Sequence, residues 1–466
     1  MTSSFVTVVV PFDDALADGV LPLVQAMGNP AAAPLRCALG ALGILHFMSL
    51  NVIRAGDGGG DGGDAAHLLL ELSADGPAEP ALQAVAGAIA PELTAVLDAA
   101  GHPLPPSGLA RFLARYSPTL AADWIGTWRR GGALGLPFCG SPGMEVRRIL
   151  AERDLADRVA GWYGDLSGSG TALDTLSGVR ERLWQSGDAK WAFAPQQAPF
   201  LGPNVARTWW TNIKIFAASF QDLLWPLVLP VLVIALLFQH TLTWRTLWLP
   251  LVVIAVVLIV VGTFLFYRLR QAEATEEADN IAPDPAHVAA VMSGENFGGL
   301  NLLVAVTRLK PGWFRTLTLR FALWFTGQTL ARSGIPGFLG DVGTVQFARW
   351  IVLPGTDKLA FVSNYDGAWE SYLEDFIQLV ADGVTAIWTS SRGFLRTHLL
   401  FGDGARDGNR FRRYVRRFQI ATGFWYAAYP DLTLEQMRVN ARIRLGIASA
   451  QTEQEAQAWL SLFSAP

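Results

Sequence analysis

Two histidines are the side chains of this sequence best suited to chemistry. His46 falls inside a run that we predict to be a strand, with Gln346 as its counterpart in a second, similar run. His398 follows Arg396 and Thr397 near the other end of the chain. An imidazole that faces a cleft can bind haem iron or relay protons. The alternative for each ring is structural, since a lone histidine in a strand is commonly packed and hydrogen-bonded.

Two carboxylates precede predicted helices. Asp75-Gly76 and Asp366-Gly367 each stand between a predicted strand and an apolar run with helical spacing. An aspartate there accepts hydrogen bonds from the free N–H groups of a helix and complements the helix dipole. We therefore expect a structural role, and a catalytic carboxylate is the alternative.

Five arginines fall within two turns of a predicted helix, and they form the strongest charged feature of the sequence. They are Arg410, Arg412, Arg413, Arg416 and Arg417. A solvated helix face is one interpretation. Contact with anionic lipid headgroups is the second, with about 1 kcal/mol for each residue near the membrane surface. Binding of an anionic ligand, such as a carboxylate or a haem propionate, is the third.

Cysteine usage and short motifs argue against several functions. Cys37 and Cys139 suggest neither a disulfide framework nor a CxxC metal site, and we expect Cys139 to be a small buried residue. No GxGxxG, P-loop, GxSxG or HExxH string occurs, so nucleotide binding and zinc or serine hydrolysis have no support. We interpret residues 56–64, GDGGGDGGD, as a surface loop and not as a calcium site. A net charge of -4 gives no indication of nucleic-acid binding.

Two central apolar runs indicate a membrane segment. Only 16% of the chain is charged, below the quarter that is typical of soluble domains, and residues 223–238 and 247–267 are almost free of charge. The second run is long enough to cross a hydrocarbon core of about 30 Å, and the first is shorter. Tryptophans lie before the first run and between the two runs, and Tyr267 ends the second, as expected at membrane interfaces. We predict a transmembrane helical hairpin over residues 205–272; buried core helices or a re-entrant hairpin are the alternatives.

The distribution of positive charge predicts the orientation of this hairpin. Two crossings return the chain to the side from which it started. Arg207, Lys214, Arg268 and Arg270 flank the hairpin, whereas its tip carries Arg245. The positive-inside rule then predicts that both flanking domains are cytoplasmic.

The flanking domains share one repeated pattern. Residues 44–76 and 344–367 each read as a strand, a loop, a second strand and an Asp-Gly turn, and a helix follows. Fixed-order similarity of this kind is typical of a duplicated unit. A strand and a helix precede each copy, and we predict a final strand at residues 93–97 and at 384–388. The result is two ferredoxin-like βαββαβ units in an α+β protein.

The unpaired face of each predicted sheet requires a partner. Helices cover one face of such a sheet, and the other must also bury its apolar residues. We therefore predict that the two sheets pack face to face. The predicted domains are residues 1–200, ending in helices, and residues 285–466, also ending in helices, on either side of the hairpin.

This element order resembles the dimeric α/β-barrel superfamily, in which two ferredoxin-like units pair through their sheets. The resemblance covers residues 5–100 and 300–390. Members include the dye-decolourising peroxidases and chlorite dismutases, which hold haem, and several haem-free enzymes and binding proteins. It implies haem as a candidate cofactor, with His46 or His398 as ligand and Arg349 as the distal cation. The peroxidase G-x-x-D-G segment is not matched, because Ser363 replaces its first glycine and only Asp366-Gly367 is shared.

The chain also resembles a group of bacterial membrane proteins that carry the strings HFARW and SNYDGSWESYL, which read QFARW and SNYDGAWESYL here. Two functions are consistent with all these patterns. The first is a membrane-anchored binding or scaffold module for an apolar ligand or partner at the bilayer surface, because no complete catalytic constellation is present. The alternative is a haem-dependent, peroxidase-like oxidoreductase.

Overall fold

The computed structural model describes residues 3–29, 32–59, 65–120, 135–166, 170–195, 244–275, 278, 280–295, 298–332, 338–339 and 342–463. These residues form an α+β structure with two four-stranded antiparallel sheets and one short hairpin. The strands in chain order are β1 Ser3–Phe12, β2 Leu45–Ile53, β3 Ala66–Asp75, β4 Pro137–Cys139, β5 Leu300–Arg308, β6 Val345–Val352, β7 Lys358–Asp366, β8 Thr397–His398, β9 Gly402–Asp403 and β10 Phe424–Ala427.

The α-helices of the described residues begin and end as follows. They are α1 Ala17–Met27, α2 Ala33–Ala41, α3 Ala78–Ala88, α4 Ala90–Ala99, α5 Leu109–Arg115, α6 Val146–Leu166, α7 Ala172–Ser186, α8 Trp244–Thr275, α9 Pro285–Met292, α10 Trp313–Arg332, α11 Trp369–Leu379, α12 Ala381–Trp388, α13 Gly408–Phe418, α14 Leu434–Ser449 and α15 Glu453–Leu460.

The repeat predicted from the sequence is present in both halves of the chain. Strands β1, β2 and β3 have the order β1-β3-β2, and β5, β6 and β7 have the matching order β5-β7-β6. An Asp-Gly turn with a left-handed glycine follows the last of these strands in each copy, at Gly76 (φ +79) and Gly367 (φ +77). Glycine suits this position because other residues are strained there. Helices α3 and α11 then follow.

The final strand predicted for each unit is wrong. Residues 93–97 lie inside α4 and residues 384–388 lie inside α12, so neither forms a strand. In α4 the buried residues are Leu93, Val96 and Leu97, a helical spacing, and a proline stands in its first turn. A short apolar run does not distinguish a buried helix from a buried strand, and that ambiguity explains the error.

The fourth strand of each sheet comes from the other half of the chain. β10 pairs with β2, and β4 pairs with β6, so the sheet orders are β1-β3-β2-β10 and β5-β7-β6-β4. Each half therefore donates one edge strand to the sheet of the other. This exchange connects the two halves by backbone hydrogen bonds as well as by side-chain packing.

One hydrophobic cluster contains residues from the facing sides of both sheets. Val9 and Leu69 of the first sheet belong to it together with Val304, Ile351 and Val362 of the second. Trp425 of β10 also donates its indole N–H to Asn364 of β7, at 2.9 Å. The opposite sides of the sheets pack on helices in two further clusters, which include α1 and α3 in the first case and α11 and α12 in the second.

The C-terminal helices of both halves form a third layer. Leu155 and Leu176, of α6 and α7, share a buried cluster with Ile443 and Trp459, of α14 and α15. Through this cluster, the helices before residue 195 pack against the helices after residue 433. The domain limits 1–200 and 285–466 remain a prediction.

A long apolar helix leaves this body. In α8 the stretch Ala255–Thr275 is long and apolar enough to cross a membrane. None of the residues from 255 to 272 is buried. Helices α3 and α4 pass the same test only when this bent pair is counted as one span, and both bury side chains in the core of the first sheet. The second predicted run, residues 247–267, lies within α8, whereas the first run, residues 223–238, lies outside the described residues.

Candidate functional site

A β-bulge occurs at the equivalent position in each copy of the repeat. The register between β2 and β3 shifts at Leu45/Phe47, and that between β6 and β7 shifts at Val345/Phe347. The extra residues are His46 and Gln346. Bulges commonly redirect a side chain, and here each one brings its side chain to the aspartate of the Asp-Gly turn.

His46 is completely buried, and both of its ring nitrogens have partners. Nδ1 lies 2.7 Å from the hydroxyl of Tyr429, and Nε2 lies 3.0 Å from Oδ1 of Asp75. Phe347 packs against the ring at 5.0 Å between centroids. An iron ligand needs a free nitrogen, so haem binding at His46 would require one of these two hydrogen bonds to break. The geometry is that of a packed structural histidine.

Gln346 makes the equivalent contact in the second copy. Its Nε2 donates to Oδ1 of Asp366 at 2.8 Å and to the carbonyl of Leu432. The two aspartates then use their second oxygens as helix caps. Oδ2 of Asp75 accepts the N–H of Val146 at 2.8 Å, and Oδ2 of Asp366 accepts that of Leu434 at 2.7 Å.

These caps agree with the predicted type of role but not with the predicted helices. The aspartates cap α6 and α14. They do not cap α3 and α11, which directly follow the Asp-Gly turns. Burial raises the pKa of the Asp366 carboxyl to about 7 although two donors and Arg438 favour its charged form. The aspartates hold the repeat to the C-terminal helix layer.

Arg349 lies between the two sheets opposite Glu71. Its Nη1 is 3.6 Å from Oε2 of Glu71, and its guanidinium lies over the ring of Phe5. Burial raises the pKa of the Glu71 carboxyl to about 7 and lowers the pKa of Arg349, since both charged forms lose solvation. A cavity of about 20 Å³ lies beside this pair and is also lined by Ser49 and Asn364. It has room for a water molecule by the usual criterion of about 10–15 Å³.

The inter-sheet cavity is therefore polar and small. Oε1 of Glu71 and Nε of Arg349 have no hydrogen-bond partner among the described residues. A water molecule that bridges them would satisfy both groups. Arg349 lines this cavity, whereas His46 is not among its lining residues.

His398 lies apart from this cavity. It is exposed on β8, which pairs only with β9 among the described residues. The structure therefore does not bring His46, His398 and Arg349 together in one open cleft. Their joint use as a haem site stays a prediction.

The arginines of α13 mostly have protein partners. Arg416 is buried, binds Glu295 through Nη1 at 2.7 Å and stacks on the Trp369 ring at 3.7 Å. Arg412 pairs with Glu374, and Arg413 donates to Asn280. Two further members are placed as follows: Arg410 pairs with Asp407, and Arg417 lies over the ring of Phe418. The cluster is mainly a set of anchors for α13.

The remaining sequence candidates have structural positions. Cys139 is largely buried on β4, and burial raises the pKa of its thiol, which makes the thiolate scarce. Residues 60–64 of the glycine-rich loop lie outside the described residues. No cluster of three metal-ligating side chains is present in the part of the chain that the structure describes.

A second pocket lies on the helix side of the second sheet, and no pattern in the sequence pointed to it. Its volume is about 250 Å³, and α10, α11, α12 and the loop after β8 surround it. The lining residues are almost all apolar, and they are Phe325, Thr326, Leu339, Trp350, Leu379, Val380, Asp382, Gly383, Val384, Ile387 and Phe401. We call this the helix-side pocket. A volume of this size can hold a small apolar molecule, since an engineered apolar cavity of about 150 Å³ binds benzene.

No protein-family model, no curated protein and no solved structure matches the chain.

Proposed function

We propose that this protein is a membrane-anchored module that binds an apolar ligand or partner at the bilayer surface. The observation that carries the proposal is the exposed apolar surface of α8 over residues 255–264. At 1.5 Å per residue the 32-residue helix is about 48 Å long, which exceeds the hydrocarbon core of about 30 Å. Exposed side chains such as Ile259 and Phe264 would be costly in water and are favourable in lipid.

The last turns of α8 attach to the folded body. Leu265, Leu269 and Glu273 are shielded at helical spacing, whereas the preceding residues from 255 to 264 are exposed. Glu273 is buried and accepts the backbone N–H of Leu400 at 2.9 Å. The helix is therefore a rigid extension of the second sheet's helix layer, and the body would lie close to the membrane.

The strand exchange supports a hairpin. Residues on both sides of the apolar region contribute to the same two sheets, so both halves must lie on one side of a membrane. If α8 crosses the membrane, the chain must cross it an even number of times between residues 195 and 278 to return to the same side. Arg268 and Arg270 stand at the end of α8 nearest the body, and this favours the cytoplasmic side.

The haem-dependent alternative has less support. His46 has both ring nitrogens engaged, His398 is exposed on a short hairpin, and the inter-sheet cavity is too small for a macrocycle. The binding module is therefore the function that we retain.

Alkaline carbonate extraction of cell membranes tests the anchoring. The parent protein should stay in the pellet, and a variant with Ile259→Lys and Phe264→Lys should lose stable insertion, because lysine in the hydrocarbon core costs about 2–4 kcal/mol. Ile281→Lys, at an exposed residue outside α8, is the control and should stay in the pellet. Complete extraction of the parent protein would refute the proposal.

Thiol labelling tests the orientation. Cys37 is exposed in the first half, and Ala458→Cys places a thiol on an exposed position of the second half. A membrane-impermeant maleimide should label neither in intact spheroplasts and both after lysis. Labelling of only one of them before lysis would contradict a common side.

A further inference from the structure

The helix-side pocket lies next to the point where α8 joins the body. Phe401 forms one wall, and its neighbour Leu400 binds Glu273 near the end of α8. Consecutive Cα atoms are 3.8 Å apart, so this wall is close to the membrane-facing helix. Leu269 of α8 also packs on the same hydrophobic cluster as Phe401.

On the basis of the proposed membrane attachment, we infer that the helix-side pocket takes one hydrocarbon chain of a lipid or of a free fatty acid. The lining consists almost entirely of aromatic and aliphatic side chains, which a hydrocarbon chain can contact without any need for hydrogen bonds. The adjacent bilayer supplies such chains at high local concentration.

The charged group of the pocket is exposed to solvent. Among the described residues, Asp382 is the one charged residue of the lining, and its carboxylate pairs with Arg406 at 2.8 Å, with both side chains more than half exposed. A headgroup can remain beside this solvated pair while the chain enters. A ligand that is charged along its length would instead lose solvation without a partner in the pocket.

The turn between α8 and the pocket has a fixed and unusual backbone. Leu399 and Leu400 have φ values of 53° and 71°, in the left-handed region that non-glycine residues rarely adopt. Glu273 stabilises this turn through the Leu400 N–H and the Thr397 hydroxyl. The side chain of Leu399 is exposed, and Phe401, which lines the pocket, follows two residues later in the chain.

Gly383 offers a way to close the pocket without disturbing the backbone. It lies in α12 with a side that faces the pocket, and a Cβ there would meet only Cγ2 of Thr326, at 4.0 Å. Gly383→Leu fills the space and raises helix propensity. Gly87→Leu is the matched control, because Gly87 lies in α3, where an added Cβ meets nothing within 4 Å.

The experiment uses the full chain in lipid vesicles with two photoreactive probes. One is a fatty acid with a diazirine near the end of its chain, and the other is a phosphatidylcholine that carries the same chain. After illumination, adducts are mapped to peptides by mass spectrometry. We expect adducts on α8 and on the pocket peptides that contain residues 379–388 or Phe401. Gly383→Leu should lose the pocket adducts and keep those on α8, whereas Gly87→Leu and Gly383→Ala should keep both.

The outcomes separate the pocket from the anchoring. Adducts on α8 without adducts on the pocket in the parent protein would overturn the inference and leave the membrane attachment intact. The same result is expected if a segment of the polypeptide fills the pocket. Pocket adducts that persist in Gly383→Leu would overturn it as well. An absence of adducts on α8 would refute the proposed function. Pocket labelling by only one probe would identify the source of the chain.

Discussion

Asp75 and Asp366 occupy the same position in the two copies of the repeat, and each caps a helix that starts 71 and 68 residues later, respectively. Each of these helices follows the strand that its half of the chain donates to the other sheet. The two caps therefore fix the path of the chain directly after the two exchanged strands, and they do so with the same atoms. A shared bulge, a shared cap and a reciprocal strand exchange together support a duplicated unit.

Replacement of Asp75 by alanine should destabilise the protein through two losses. The N–H of Val146 loses its cap, and the buried His46 loses its partner on Nε2. A lost cap costs about 0.5–2 kcal/mol, and an unsatisfied buried group about 1–3 kcal/mol. The melting temperature of the detergent-purified protein should fall by several degrees.

Asp98→Ala is the control for this prediction. Asp98 is exposed at the end of α4, so its loss should change stability by less than about 0.5 kcal/mol. Equal melting temperatures for Asp75→Ala and Asp98→Ala would show that the cap of α6 contributes nothing.

The repeat could be predicted from the sequence because its signals are local. In each copy, two apolar strands, an Asp-Gly turn and a helical apolar stripe follow one another directly along the chain. The fourth strands could not be predicted, since β4 has only three residues and β10 four, and their partners lie far away in the chain. Short strands depend on tertiary pairing more than on their own propensity.

The site residues show the same limit. The sequence indicated that His46 and Gln346 are equivalent, but it could not show that a bulge turns both toward aspartates. The bulge results from pairing between strands. It places the His46 ring where both nitrogens are hydrogen-bonded, so neither is free to bind a metal. Five arginines in two turns gave no sign that Arg416 is buried, because its partner Glu295 lies 121 residues away.

Haem addition to the detergent-purified protein should produce no shifted Soret band. His46 would have to give up Tyr429 or Asp75 in a fully buried place before it could bind iron. His46→Ala should instead lower the melting temperature, whereas His398→Ala, at an exposed position, should leave it unchanged. A shifted band that disappears in either variant would restore the oxidoreductase alternative.

Glu71 should make stability depend on pH in a defined direction. Its pKa is about 7 in the folded protein against an ordinary value of 4.5, so the folded state binds the proton more tightly. The resulting stability is complete below about pH 4.5 and is lost as the pH rises through 7. The difference of about 2.5 pKa units corresponds to an upper limit on the order of 3 kcal/mol.

Glu71→Gln isolates this effect because glutamine has the same shape and does not titrate. The melting temperature of the parent relative to Glu71→Gln should fall between pH 5 and pH 8. A constant difference over that range would mean that the carboxyl is already charged at pH 5.

Loss of Arg416 should have the largest effect among the arginines of α13. In Arg416→Met the carboxylate of Glu295 stays buried without its counter-charge, and Gln419 is the donor that remains among the described residues. Breaking a buried ion pair costs about 3–5 kcal/mol. Thermal unfolding should show this loss, and Arg410→Gln, whose side chain is half exposed, should unfold like the parent. A second change, Glu295→Leu, should recover part of the stability, because it removes the stranded charge; no recovery would indicate that Arg416 acts mainly through its stacking on Trp369.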